Sequence, residues 1–424
     1  MATTISSLRT QNLKDPTAAS ETAEAKKPEL SVAKPAAEKA SDKVDNSAKQ
    51  PVLAEAPRAN VAAGGSATLR HNIEAQLESG RIGNHPAVAK LLLTYYPNKA
   101  KTVSRAAERF LMPASIMDTE LRKATTREQA IDILGTSEFR RRVFTLEGGL
   151  GLYHGRLDEE MDAQFDAIKE IEDKIGAYTY FIQMKKNAAD AGAPEATVKL
   201  YDKKIADARA ELGKLIDENW TLNDKGQFPG MKALVRDVRH AEFDSYKDDR
   251  KLIQKAIKKE AKDVEETEYD MNNLEEGIHE LRRDLRKVTT FTEFGNGLFQ
   301  HDAAIAPIDD AILKDPVASS KYMNMDPADR EKDPIVVSKS LYAKLQKTVL
   351  DLGAIKDRGE AIHGLRDALL ESKQATSAAD AEKQAIALLK YTPEQADLKG
   401  SASKIYEAMK SEGWLKQLRK QLTE

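Results

Sequence analysis

From about residue 68 onward, apolar positions recur at three- and four-residue intervals and seldom alternate singly, the pattern of helices that each bury one face. The clearest case is Leu157 to Ala191, where Phe165, Ile168, Ile171, Ile175, Tyr178 and Ile182 fall on one side of a long amphipathic helix. Gly192-Ala193-Pro194 supplies a turn, and a second helix, Glu195 to about Trp220, completes an antiparallel hairpin. Upstream, Pro86 to Asn98 and Ala100 to Met112 predict a helical pair parted at Pro97, with further helices across Thr119 to Phe144. Gly148-Gly149-Leu150-Gly151 lacks the spacing of a phosphate-cradling loop and reads as a hinge or turn. Downstream, Pro229-Gly230 opens a helix to about Lys262, and another spans Tyr269 to Gln300. His301 to Asp333, with Pro307, Pro316 and Pro327, reads as an irregular connection. Helices resume at Ser338 to Leu352, Arg358 to Ser372, Ala378 to Lys390 and Ser401 to the end. The expected fold is all-α, built of long-helix bundles.

Met1 to Ala67 breaks the pattern. It is rich in Ala, Lys, Glu, Ser and Pro, and the first aromatic residue of the chain is Tyr95. So little bulky apolar surface cannot offset the entropy of ordering, which predicts a disordered tail with the balanced charge of a tether. The expected divisions are 1–67 for the tail, 68–156 for a small helical region and 157–228 for the hairpin. A helical core follows over 229–374, with an irregular connection at 301–335, and then C-terminal helices over 375–424. Met1 to Arg9 has no basic start followed by an apolar run, and the longest apolar stretch, Ala89 to Tyr96, is too short to cross a bilayer. A cytoplasmic protein without a membrane span is the simplest expectation.

Charge narrows the choice of partner. The chain holds 66 Lys and Arg against 69 Asp and Glu, a formal net charge of −3, so a uniformly basic nucleic-acid binder is excluded and any anion must be bound locally. The absence of cysteine removes disulfides, thiolate metal sites and Cys nucleophiles. Positive charge does gather on one helix, Leu274 to Val288. At 100° per residue, His279, Arg282, Arg283 and Arg286 lie within about 100° of one another with Lys287 at the margin, opposite Ile278, Leu281, Leu285 and Val288. Planar guanidinium forks suit phosphate oxygens, and a histidine among them adds a donor. A second stripe, Lys232, Arg236, Arg239 and His240, continues to Lys247 and Arg250 beside Met231, Leu234, Val235 and Val238. Packed antiparallel, the two cationic faces could line one groove for a polyanion.

The segment Ile278-His279-Glu280-Leu281-Arg282-Arg283-Asp284-Leu285-Arg286-Lys287 resembles the signature helix of the CHAD family, the conserved histidine α-helical domain. Asp351-Leu352-Gly353-Ala354-Ile355-Lys356-Asp357 is similar to that family's later Leu-Gly turn with a basic residue and Asp. The resemblance covers at most Pro229 to Leu370. It implies two four-helix bundles around a basic cavity and binding of inorganic polyphosphate, often at polyphosphate granules. His279, Arg282, Arg283, Arg286 and Lys287 are then the phosphate contacts. A second His-x-x-Arg, His363-Gly364-Leu365-Arg366, is followed by Asp367-Ala368-Leu369-Leu370 where the family repeats basic residues, and Leu157 to Trp220 has no counterpart.

Competing uses of the same residues set the alternative. Glu275, Glu276 and Glu280 stand at the spacing that pairs with His279 and Arg283, so the stripe could be consumed by internal ion pairs in a helical scaffold that binds proteins or associates with itself through coiled-coil-like helices. Asp237, Asp244, Asp248 and Asp249 dilute the second stripe. Asp263, Glu265, Glu266, Glu268 and Asp270 lack the glycine turn and terminal glutamate of a calcium loop. His71, His85, His154 and His301 stand alone, and no G-x-S-x-G elbow occurs. The expectation is a non-enzymatic polyanion-binding protein with no cofactor, no metal and no nucleic-acid signal. Its candidate contacts are His279, Arg282, Arg283, Arg286, Lys287, Arg236, Arg239 and His240.

Overall fold

A computed structural model describes residues 85–97, 102–295, 297–305, 309–323 and 333–422, so the expected disordered tail lies outside the described residues. Within them the chain is all-α. Fourteen α-helices run in the order α1 Pro86–Tyr95, α2 Arg105–Leu121, α3 Arg127–Leu134, α4 Ser137–Tyr153, α5 Glu159–Asp190, α6 Glu195–Asn219, α7 Pro229–His240 and α8 Tyr246–Glu266. There follow α9 Glu280–Phe294, α10 Lys339–Glu371, α11 Ala378–Leu388, α12 Pro393–Ala396, α13 Leu398–Glu412 and α14 Trp414–Gln421. No helix among the described residues is long and apolar enough to cross a membrane.

Local chemistry sets the helix starts. Ser104, Thr126, Thr136, Asp158, Ser245 and Ser377 each accept a hydrogen bond from a backbone N–H in the first turn of the helix they precede, satisfying donors that have no partner inside the helix. Ser245 explains one departure from expectation: the helix read from Pro229 to Lys262 is two, α7 and α8, because Ser245 caps a fresh start through the Asp248 N–H. Gly413, at φ +60°, likewise divides the last expected helix into α13 and α14.

Two glycine elements read as turns lie inside helices instead. Gly148, Gly149 and Gly151 belong to α4, where a Cβ at Gly149 would stand 2.2 Å from the Phe294 ring and one at Gly148 2.4 Å from Thr290. The missing side chains at Gly148 and Gly149 let α4 and α9 approach closely. Gly353 sits within α10, which runs unbroken through both helices expected on either side of it, and a Cβ there would be 2.9 Å from Nε of Arg282. Continuity is possible because α10 is buried along most of its length, so tertiary contact outweighs the weak helix propensity of glycine.

Three apolar cores result. The first joins α1 to α7 and receives Phe294 from α9; the second joins α8, α9, the first half of α10, α13 and α14. The third is small: Met184, Ala188 and Tyr201 at the tip of the α5–α6 hairpin meet Leu365, Ala368 and Leu369 of α10 and Ala381 and Ala385 of α11. The hairpin matches its expected bounds, although Ile182 is 41% exposed because the α5 stripe meets the third core through Met184. Among the described residues the expected irregular connection contains three 3-10 turns, and its ends are tied by a parallel pair, β1 Phe299–Asp302 and β2 Ile335–Ser338, in register Phe299 to Ile335.

Candidate functional site

The helix expected to start near Tyr269 begins as a single π-helical turn, Leu274–His279, before α9 takes over. Asn273 caps it through the N–H groups of Glu275 and Glu276, and Gly277 is required because a Cβ would lie 1.8 Å from the Asp270 carbonyl. This entry sets the rotation of α9. Leu281, Leu285 and Val288 enter the second core as the apolar pattern predicts, and the basic side chains divide into two groups.

One group is paired. Nδ1 of His279 donates to Glu275 at 2.9 Å, Arg283 pairs with Glu280, and Lys287 reaches Asp284 at 3.0 Å and Glu260 at 3.8 Å. Burial and the neighbouring Lys356 hold the proton affinity of His279 below its ordinary value despite Glu275. The other group is not paired. Arg282 is 2% exposed, its Nε has no hydrogen-bond partner, and no described carboxylate lies within ion-pair distance of its guanidinium. Burial, with Arg286 beside it, pulls its pKa down to about 10. Half-buried Arg286 lies over the Phe144 ring at 4.6 Å; burial holds its proton affinity below the ordinary arginine value, although Glu172 and Glu147 favour its charge.

Both arginines line a cavity of about 930 Å³ where α2, α4, α5, α9 and α10 meet. Its lining runs from exposed Ser137, Gln183 and Lys321 to buried Arg282. Seven basic side chains line it (Arg109, Arg140, Arg141, Arg142, Arg282, Arg286 and Lys321) against three carboxylates, Glu293, Asp357 and Glu360. Arg141 donates to Glu293 at 2.7 Å, Arg142 pairs with Glu138 at 2.5 Å and approaches Glu293 at 3.6 Å, and Arg140 lies over Phe144 at 5.8 Å. Buried Arg109 pairs with Asp249, which also accepts from the Tyr153 hydroxyl. Arg109, Arg141 and Arg142 are thus offset by carboxylates, and the attraction for an anion rests on Arg282 and Arg286.

Glu360 stands on the same wall, from α10. One oxygen is paired with buried Lys356, the other is buried without a partner, and burial pushes the carboxyl up to about 7. Lys356 in turn is held below the ordinary lysine range by burial. His279 and Glu275 stand behind this pair and do not line the cavity.

Of the expected contacts, the fold therefore brings Arg282 and Arg286 together at the cavity. Arg283 and Lys287 are turned to ion pairs on the outer side of α9. The α7 stripe is elsewhere: α7 packs on α1, α2, α5 and α6, Arg236 pairs with Asp237 at 2.6 Å, Arg239 lies 4.3 Å over Tyr96, and His240 is exposed. None of these three lines the cavity, so the two stripes do not share it. Sequence reasoning missed Arg140, Arg141 and Arg142, although a run of three arginines before Phe144 was a visible signal. It also missed Glu360 and Lys321, which carry no local signature. Among the described residues no group of three or more His, Asp or Glu is placed to hold a metal ion. Neither a family model, nor a curated protein, nor a solved structure matches the chain.

Proposed function

We propose that this chain is a non-enzymatic binding protein for a phosphorylated anion, held in the arginine-lined cavity by Arg282 and Arg286. The observation that carries the reading is Arg282 itself. A buried guanidinium that has no ion pair or hydrogen bond among the described residues, with Asp357 and Glu360 favouring its charge only from a distance, is costly to fold, and an oxyanion ligand would supply acceptors in the paired geometry a guanidinium favours. The resemblance of the His279 helix to the CHAD signature makes inorganic polyphosphate the first candidate, and with it a cytoplasmic location at polyphosphate granules. The proposal assigns no catalytic residue.

A second reading has its own support. The pairs of His279 with Glu275, Arg283 with Glu280 and Lys287 with Asp284 are what a helical scaffold would show if its basic face served internal ion pairs. Partners would then be proteins or a second copy of the chain. Calorimetric titration with inorganic tripolyphosphate separates the two. The anion reading expects saturable binding that weakens as salt rises and falls by about a hundredfold in the Arg282→Ala, Arg286→Ala double variant. No binding at low salt, or equal binding by the double variant, would leave the scaffold.

A further inference from the structure

Resting on the reading of the cavity as an anion site, the geometry points to a hydroxylated organic phosphate as the ligand. Its phosphate is seated against Arg282 and Arg286, and a hydroxyl group donates to Glu360. Glu360 is a group that an anion alone leaves unsatisfied. Glu360 is 3% exposed and lines the same cavity; Lys356 occupies one of its oxygens, and Oε2 has no partner. An ionized carboxylate only accepts hydrogen bonds, so the complement of Oε2 is a donor. A fully ionized inorganic phosphate chain offers acceptors alone and would set like charges together. An alcohol of a phosphorylated polyol offers the donor.

The rest of the wall fits such a ligand. Tyr180 and Tyr391 line the cavity with hydroxyls that make no hydrogen bond to the described protein, and Thr290 adds a third neutral hydroxyl. Gln183 donates to the side-chain oxygen of Asn187 at 2.7 Å, which leaves its own oxygen and the Asn187 amide hydrogens available. At about 930 Å³ the space is at the upper end of the ~300–1,000 Å³ range of ligand pockets and far exceeds the need of a lone phosphate ion. Mixed charged and neutral hydrogen-bonding groups in one cavity recognise a ligand with a charged end and a polar, uncharged body.

The test uses the full chain at about pH 8, above the titration of the Glu360 carboxyl, with inorganic phosphate and three esters as probes: glycerol phosphate, glucose phosphate and inositol monophosphate. At least one ester is expected to bind about tenfold more tightly than inorganic phosphate, the order expected of a hydrogen bond to a charged group. Glu360→Gln should weaken that ester by about tenfold while leaving inorganic phosphate unchanged or tighter, because it removes a repelling charge. Circular dichroism checks folding, and the Glu360→Gln, Lys356→Met double variant repeats the measurement with both members of the buried pair neutral. The inference is overturned if no ester exceeds inorganic phosphate, or if loss of the Glu360 charge tightens ester and phosphate alike; in both cases the anion site stands. If neither phosphate nor ester binds, or Arg282→Ala changes nothing, the anion reading fails and this inference falls with it.

Discussion

On α7, Arg236 has a side chain 53% exposed and paired with Asp237, and Arg239 lies over Tyr96; on α9, Arg282 is buried with no ion pair among the described residues and Arg286 stacks on Phe144 beside a cavity. The two stripes read alike along the chain, with basic residues at helical spacing next to an apolar face. What separates them is the opposite wall. The face of α7 with Arg236 and Arg239 looks outward from the first core, where water and a neighbouring aspartate satisfy the charge. The equivalent face of α9 looks inward, toward α4 and α10, because glycines remove the side chains that would have held those helices away. A basic stripe thus becomes a binding wall through its neighbours, not through its own spacing.

The comparison extends to buried arginines, and the largest effect is expected there. Arg109 has an internal partner, Asp249, and Arg109→Ala should destabilise the fold by about 3–5 kcal/mol in urea denaturation because it strands a buried carboxylate. A loss below about 1 kcal/mol would mean that paired and unpaired buried arginines are not distinct classes here. Next in size is pH. Glu360 carries a folded pKa above its ordinary value, so its contribution to stability is fully present below about 4.5 and is lost as pH rises through about 7. The same deprotonation places a negative charge in the wall beside Arg282. The affinity for sulfate, whose own charge is constant, should fall roughly tenfold from about pH 6 to about pH 8, and Glu360→Gln should flatten the profile. A flat wild-type profile would remove Glu360 from the site.

Arg282→Met tests the other side of the same comparison. Replacing a stranded charge by an apolar chain of similar length should raise stability by about 1 kcal/mol without ligand and abolish the stabilisation that added tripolyphosphate gives the wild type. Destabilisation of several kcal/mol would show that Arg282 is structural. The smallest effect belongs to α7: Arg236→Ala and Arg239→Ala should each shift stability by less than about 0.5 kcal/mol and leave anion affinity unchanged.

The helical class, the α5–α6 hairpin and the apolar face of α9 were legible because they depend on periodicity within one segment. The halves of the site that depend on contacts between segments were not. Gly148 and Gly149 looked like a turn because local propensity treats glycine as a breaker, and Gly353 because of the family resemblance, while their use here is to admit Thr290, Phe294 and Arg282. Arg282 and Arg283 are adjacent in sequence and chemically identical, yet one is buried and unpaired and the other pairs with Glu280. A difference of one residue on a helix turns a side chain by about 100°, and only the packed neighbours say which direction is enclosed. Arg140, Arg141 and Lys321 reach the cavity from elements far away in sequence, and no spacing rule connects them to α9.

An oxyanion seated against Arg282 and Arg286 would be seen in the arginine Nε–H signals of nitrogen-15 NMR spectra while tripolyphosphate is added. Signals of Arg282 and Arg286, assigned by their loss in Arg282→Lys and Arg286→Lys, should shift and saturate together while that of Arg236 stays in place. Saturating shifts at Arg236 and Arg239 with none at Arg282 would contradict the account.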